Sequence, residues 1–194
     1  MTSDDKTPVL SGAIGEYCEF DPPAALEGHF QCAWCNTLRP EAASLSAVVP
    51  DGCVDIIWID GDLVVAGPDV AVALSTLTPG STVIGTRFRP GAASRWLGLP
   101  MSEIVGGRVA LSHFWGALAR EIAQKIGAAS STVERMRAMQ AALCRLAPDV
   151  EPPPADMGFA FNALKTESAG PGMAVILDRL DVSQRTLRRR CQEA

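Results

Sequence analysis

The sequence predicts an α+β protein, strands in its first half and helices in its second. Three observations carry that prediction. Up to about residue 89 the apolar residues fall in short runs, rich in β-branched and aromatic side chains and separated by turn residues. After Pro90-Gly91 the apolar spacing changes to a helical pattern. The last segment is a short arginine-rich helix unlike anything before it. The 194 residues are 47% hydrophobic and 20% charged, which allows a real core in one domain plus a smaller unit.

Residues 1–16 are polar and glycine-containing and read as a flexible tail. The strand runs are 30–37, 45–49, 53–59, 63–66, 70–77 and 82–88. Pro50-Asp51-Gly52 and Asp60-Gly61-Asp62 are the clearest turns between them, the second a hairpin signal. Strands at this spacing close into a barrel or pack as a sandwich. Helices are predicted over 92–97, 101–105, 111–126 and 131–146. The two longer ones carry apolar stripes, Phe114, Leu118, Ile122 and Ile126, then Val133, Met136, Met139 and Leu143. Such a pair either forms a dimer face or packs on its own domain. Residues 17–147 therefore read as one domain, with 148–155 a proline-rich, semi-rigid linker. Residues 156–194 form a second helical unit, with helices over 156–167 and 173–179 and a turn at 170–172.

Composition excludes several classes of function. No apolar run is long enough to span a membrane, and the N-terminal residues lack the order of a signal peptide, so a soluble cytoplasmic protein is expected. The net charge of −5 argues against nucleic-acid binding over the whole surface. No nucleophile elbow, phosphate-cradling glycine loop or zinc-protease motif is present; no catalytic residue, enzymatic activity or cofactor is expected. Cys32-Ala-Trp-Cys35 has the spacing of half a metal site or a redox pair, with Cys18, His29 and Cys53 as further donors. On a strand, however, Cys32 and Cys35 point to opposite faces, and buried free thiols are the plainer reading. No metal site is assigned; a cysteine-based metal or redox sensor stays open as an alternative.

The C-terminal segment is the most specific. From Arg179 to Arg190 there are five arginines against one acid, Asp181. Ala174, Leu177 and Leu180 share a face of the first helix, Val182 fills the turn, Ser183 caps the second helix, and Leu187 anchors it. Ser183, Gln184, Arg185, Arg188 and Arg189 then lie outward, as DNA-contacting residues of a helix-turn-helix would. The alternative is a solvated basic helix.

Val182-Ser-Gln-Arg-Thr-Leu-Arg-Arg189 resembles the first helix-turn-helix of AraC/XylS-type transcriptional regulators, in which Val-Ser-x-Arg-x-Leu-x-Arg follows a small-residue turn. The resemblance implies an N-cap at Ser183, contacts to DNA from Arg185 and Arg189, and a core anchor at Leu187. The family usually has glycine where Asp181 stands, a position that requires a left-handed backbone; aspartate tolerates it better than most residues. Upstream, Pro50-Asp-Gly-Cys-Val-Asp-Ile-Ile-Trp58, Gly67-Pro68, Arg87-Phe-Arg-Pro-Gly91, Leu97-Gly-Leu-Pro100 and Phe114-Trp-Gly116 resemble the N-terminal domain of one branch of these regulators. That implies a cupin-like barrel holding a small-molecule effector, and an effector-binding or dimerisation role for 17–147. Such regulators carry a second helix-turn-helix. Here the sequence ends at Ala194, so a partial DNA-binding domain over 156–194 is expected, binding operator DNA weakly. Trp34, Asp55, Trp58, Arg87 and Phe88 are the candidate effector-binding residues, with Arg87 or Arg89 suited to an acidic ligand. Each aromatic is alternatively plain core. Asp55 either faces solvent or is buried against an arginine. The partners implied are operator DNA, the effector and a possible homodimer; the rival is a stand-alone cupin-like binding protein.

Overall fold

The computed structural model describes residues 9–10, 13–41, 45–165 and 172–194. The chain is α+β, as the two periodicities predict, and its strands form two sheets. The larger is built from β2 (Gly15–Phe20), β3 (Phe30–Leu38), β5 (Asp55–Ile59), β6 (Asp62–Ala66), β8 (Thr82–Phe88) and β9 (Arg108–Ala110), in the order β2-β3-β8-β5-β6-β9. All its neighbours are antiparallel. The smaller joins β1 (Val9–Leu10), β4 (Leu45–Val48) and β7 (Ala73–Thr76), in the order β1-β4-β7.

These two sheets do not close into a barrel, which corrects the cupin-like expectation. Among the described residues β2 and β9 stand at opposite edges of the large sheet, and β4 pairs with β7 instead of bridging them. Pairing also starts earlier than the predicted tail allows. Val9 and Leu10 lie beside Ser46 and Ala47, and Ile14 is buried. The rest of the tail, 1–8 and 11–12, lies outside the described residues.

The helices are α1 (Ala93–Leu97), α2 (Ser112–Trp115), α3 (Ala117–Gly127), α4 (Thr132–Leu146), α5 (Ala155–Lys165), α6 (Met173–Leu180) and α7 (Gln184–Glu193). The predicted helix over 101–105 is only a single tight turn, Met101–Glu103. The predicted helix over 111–126 is broken at Gly116, whose φ of 57° and ψ of −127° are open to glycine and strained for other residues. Residues 166 and 167 of the predicted fifth helix, and 170 and 171 of the following turn, lie outside the described residues. Ser131 caps α4 by accepting from the Glu134 N–H.

Both faces of the large sheet are covered. On one, Phe30, Ile56, Trp58, Val65, Ile84 and Phe88 meet Trp96 of α1, Ile122 and Ile126 of α3, and Met136, Met139 and Leu143 of α4. The apolar stripes of α3 and α4 are thus largely consumed by their own domain, with Leu118 and Val133 left outside. On the other face Cys32, Trp34, Leu38 and Val83 pack with Ile14 and Leu77 beneath the small sheet. After α4, the proline segment lies along this body: a methyl placed on Gly91 would come within 3.4 Å of Pro153 Cβ and 3.2 Å of Met157 Cβ.

A third cluster joins the C-terminal helices, with Ala160 of α5, Ile176 of α6 and Leu187 of α7 buried together. Ala174, expected on the packed face of α6, is exposed, and Ile176 takes that role. Truncating Leu187→Ala should cost about 2–3 kcal/mol and loosen α7 selectively. Hydrogen exchange should then show α7 amides losing protection while β3 and β8 keep theirs; unchanged α7 protection would mean that Leu187 anchors nothing.

Candidate functional site

A cavity of about 1010 Å³ lies between the two sheets. Its position follows from strand alternation: Asp55, Ile57 and Ile59 of β5, Val83 and Arg87 of β8, and Trp34 of β3 all point to this side. Trp34 lies flat on the floor because its strand neighbour is Gly85. A Cβ at Gly85 would sit 2.4 Å from two indole carbons. The small sheet supplies Ser46, Ala47 and Ser75.

Asp55 and Arg87 are directly opposed residues of β5 and β8. Arg87 Nε donates to Asp55 Oδ1 at 3.2 Å and Nη2 to Oδ2 at 3.3 Å. Asp51 Oδ2 lies 3.6 Å from the same Nη2, while its Oδ1 accepts from the Cys53 N–H at 2.9 Å. Burial raises the proton affinity of Asp55, opposed by the Arg87 charge and hydrogen bonds. Burial also works against the Arg87 charge, but the neighbouring carboxylates outweigh it and hold its proton more firmly. A second forked pair lines the cavity, where Arg108 donates to Asp69 at 3.1 and 2.6 Å.

The buried Trp34 Nε1 and Ser46 Oγ, both bordering this cavity, form no hydrogen bond among the described residues. The Trp34 N–H lies close enough to Asp55 to favour its carboxylate form without reaching hydrogen-bond geometry.

The structure brings together Trp34, Asp55 and Arg87 of the predicted effector residues. It does not bring Trp58 or Phe88 to them. Both lie on the opposite face of the sheet, Trp58 beneath the Arg135 guanidinium and Phe88 stacked on Phe30 at 4.7 Å. Their alternative role, core, is the one they fill. Arg89, suggested for an acidic ligand, instead donates to the Glu27 carbonyl. Sequence reasoning missed Ser46, Asp69 and Arg108, which come from elements with no local mark of a site.

A second cleft of about 660 Å³ lies where α5 and α7 meet the sheet domain; Met157, Phe161 and Cys191 line it from the helical side. Asp51 and Cys53 line both cavities. A Cβ at Gly52, between them, would lie 3.7 Å from the Phe161 ring. The loop 50–53 is therefore a wall shared by the inter-sheet cavity and the helical unit.

In the C-terminal unit α6 ends at Asp181, which takes the left-handed conformation at φ 50° and ψ 47°. The Val182 N–H donates back to the Leu177 carbonyl at 3.1 Å, closing the turn. Ser183 then caps α7 by accepting from the Thr186 N–H at 3.2 Å. Ser183, Gln184, Arg185, Arg188 and Arg189 are all exposed. Arg189 pairs with Glu193 one turn on, and Arg190 is held by Asp156 of α5 at 2.6 Å. Arg185 and Arg188 form no ion pair or hydrogen bond among the described residues.

The cysteines are free thiols. Cys32 and Cys35 do face opposite layers, and Cys35 sits across from exposed Cys18 on β2. Burial pushes Cys53 up to about 12 and Cys32 up to about 11, so both are protonated near neutrality. Among the described residues no three His, Cys, Asp or Glu side chains are placed to hold a metal ion. Nor is any described helix long and apolar enough to cross a membrane.

Residues 18–110 match a family model described as a domain of unknown function, DUF6597. That span runs from Cys18, within β2, to Ala110, the last residue of β9, and contains the large-sheet residues that line the cavity apart from Tyr17. No curated protein and no solved structure matches the chain.

Two predictions test this site. Because burial raises Asp55 above its ordinary 3.8, the folded chain keeps a proton in the window just above that value which the unfolded chain has lost. Its contribution to stability is therefore full below 3.8 and declines as pH rises through the raised value. Asp55→Asn should remove that decline and, by leaving Arg87 short of its main partner, cost about 3 kcal/mol near neutrality. Urea unfolding across the window measures both; an unchanged pH slope would show that Asp55 does not titrate there. Alkylation of the native chain near neutral pH should label exposed Cys18 and Cys191 first, and buried Cys32 and Cys35 only after unfolding. Mass spectrometry of the labelled peptides reads the order.

Proposed function

We propose that the chain is a DNA-binding transcriptional regulator of the AraC type, in which the inter-sheet cavity receives a small-molecule effector and α7 reads operator DNA. The observation that carries the reading is the α6–α7 turn: a left-handed Asp181, the Ser183 cap and buried Leu187 hold α7 against its neighbours. Its polar side presents Gln184, Arg185 and Arg188 outward. Forked guanidiniums on the first turns of such a helix suit phosphate oxygens and guanine edges. The acidic remainder of the chain confines DNA contact to this end.

A route between the two sites supports regulation. Arg87 lines the effector cavity and is paired with Asp51, whose loop also borders α5, Gly52 and Phe161 lining the same cleft. A ligand that redistributes the Arg87 contacts would shift that loop, and with it the platform that presents α7. Binding energy can bias the equilibrium only by its difference between the two placements.

Selection from a random DNA pool at low ionic strength tests the reading. The chain should enrich one recurrent sequence, with weak affinity that falls steeply as salt rises. Arg185→Ala and Arg188→Ala should each cost about 1–3 kcal/mol of binding. No enrichment, or variants that bind like the parent chain, would overturn the DNA-reading role.

A further inference from the structure

We infer that the inter-sheet cavity takes a neutral, largely apolar small molecule carrying an oxygen acceptor such as a carbonyl, and not an organic acid or amine. The inference rests on the effector-site half of the reading above and names its ligand class. It does not depend on α7.

Charge is the first ground. Asp51, Asp55, Asp69, Arg87 and Arg108 are the acidic and basic side chains lining the cavity, and each lies against one of opposite sign. Arg87 is forked onto Asp55 and flanked by Asp51; Arg108 is forked onto Asp69. The second oxygen of Asp51 accepts from a backbone N–H. A ligand carboxylate approaching Arg87 would enter beside Asp55 and Asp51, which already sit on its Nε and Nη2, in a lining that holds three carboxylates against two guanidiniums. A ligand ammonium drawn to any of the three carboxylates would meet a guanidinium already there. The lining thus penalises either sign of charge.

Unmet hydrogen bonding is the second ground. Trp34 Nε1 and Ser46 Oγ are buried, border the cavity and form no hydrogen bond among the described residues, the Asp55 carboxylate lying near the indole N–H without meeting hydrogen-bond geometry. Buried polar groups left unsatisfied are costly, and the indole N–H can only donate. An acceptor oxygen answers the indole, and the serine hydroxyl can turn to donate as well. The third ground is the wall itself. Ile57, Ile59, Val64, Leu77 and Val83 line the cavity beside the flat Trp34 ring. Its volume of about 1010 Å³ has room for an apolar body.

Four probes of nearly equal size separate the possibilities: methyl octyl ketone, decanoate, decylamine and decane, each titrated into the full chain by ligand-observed NMR. The ketone should bind at least about tenfold more tightly than decanoate or decylamine. It should also exceed decane by a few-fold, the usual worth of one hydrogen bond. Trp34→Phe keeps the ring and removes the N–H, so it should abolish the preference for ketone over decane while leaving decane binding unchanged. Ser46→Ala should reduce the same preference and serves where Trp34→Phe lowers stability. Tighter binding of decanoate or decylamine overturns the inference, as does a ketone preference that survives both substitutions, or no binding of any probe. Failure here is distinguishable from failure of the regulator reading. A chain that prefers the ketone but enriches no DNA sequence keeps this ligand class and loses the DNA-reading role; a charged-probe preference with DNA enrichment does the reverse.

Discussion

The six-stranded sheet is covered on both sides, and this constraint organises the rest of the molecule. Each strand must serve two different interiors at alternate positions. On β5, Ile56 and Trp58 face the helices, while Asp55, Ile57 and Ile59 face the cavity. A slip of one residue would drive Asp55 into the aromatic cluster around Trp96 and carry Trp58 into the cavity. The direct opposition of Asp55 and Arg87 on neighbouring strands therefore acts as a register pin. A buried ion pair adds little net stability over apolar residues of equal volume, yet leaving one member alone is costly. A shifted register would do so for both.

The cavity exists because the second cover is narrow. Three helices fill the helical side of the large sheet, but the other side has a small sheet whose first strand spans only Val9–Leu10. The residues beneath it are either flattened, as Trp34 is over Gly85, or committed to charge pairs that cannot collapse into close packing. Space is left where the side chains are least able to fill it. The same alternation that made the core on one face made a polar-lined hollow on the other.

Much of the fold was legible because hydrophobic periodicity is local. Strands before Pro90 and helices after it could be read from spacing alone. The barrel could not, since closure depends on which edges meet, and β4 pairs with β7 across the whole β5–β6 hairpin. Helix 111–126 was over-extended because its apolar stripe continues through Gly116, whose backbone conformation breaks it. Among the candidate ligand contacts strand parity carries a further signal. Trp58 is three residues from Asp55 and Phe88 is one from Arg87, and odd offsets on one strand point to opposite faces. Parity alone separates Trp58 and Phe88 from the cavity. Ser46 and Arg108 carried no such signal, because their place in the cavity wall is set by pairing distant in sequence. The turn at Asp181 was readable because everything that makes it lies within a few residues.

The helical unit is small enough that its placement bears on its stability. Its buried centre is Ala160, Ile176 and Leu187, too little apolar surface to hold three helices on their own. Support comes from docking: Met157 lies close over Gly91, Phe161 borders Gly52, and the Pro153 ring lies along the sheet domain instead of holding the units apart. Arg190 is spent on Asp156, which fixes α7 to α5 and leaves the other arginines of that helix outward. A proline-rich segment suggests a spacer that transmits by rigidity, but here it is seated on the body. Asp51 and Cys53 line both the inter-sheet cavity and the cleft that Phe161 of α5 and Cys191 of α7 border, so loop 50–53 stands between the cavity and the helical unit. α5 supplies both a neighbour of that loop, Phe161, and the anchor of Arg190, Asp156, so the same helix borders the loop and holds α7.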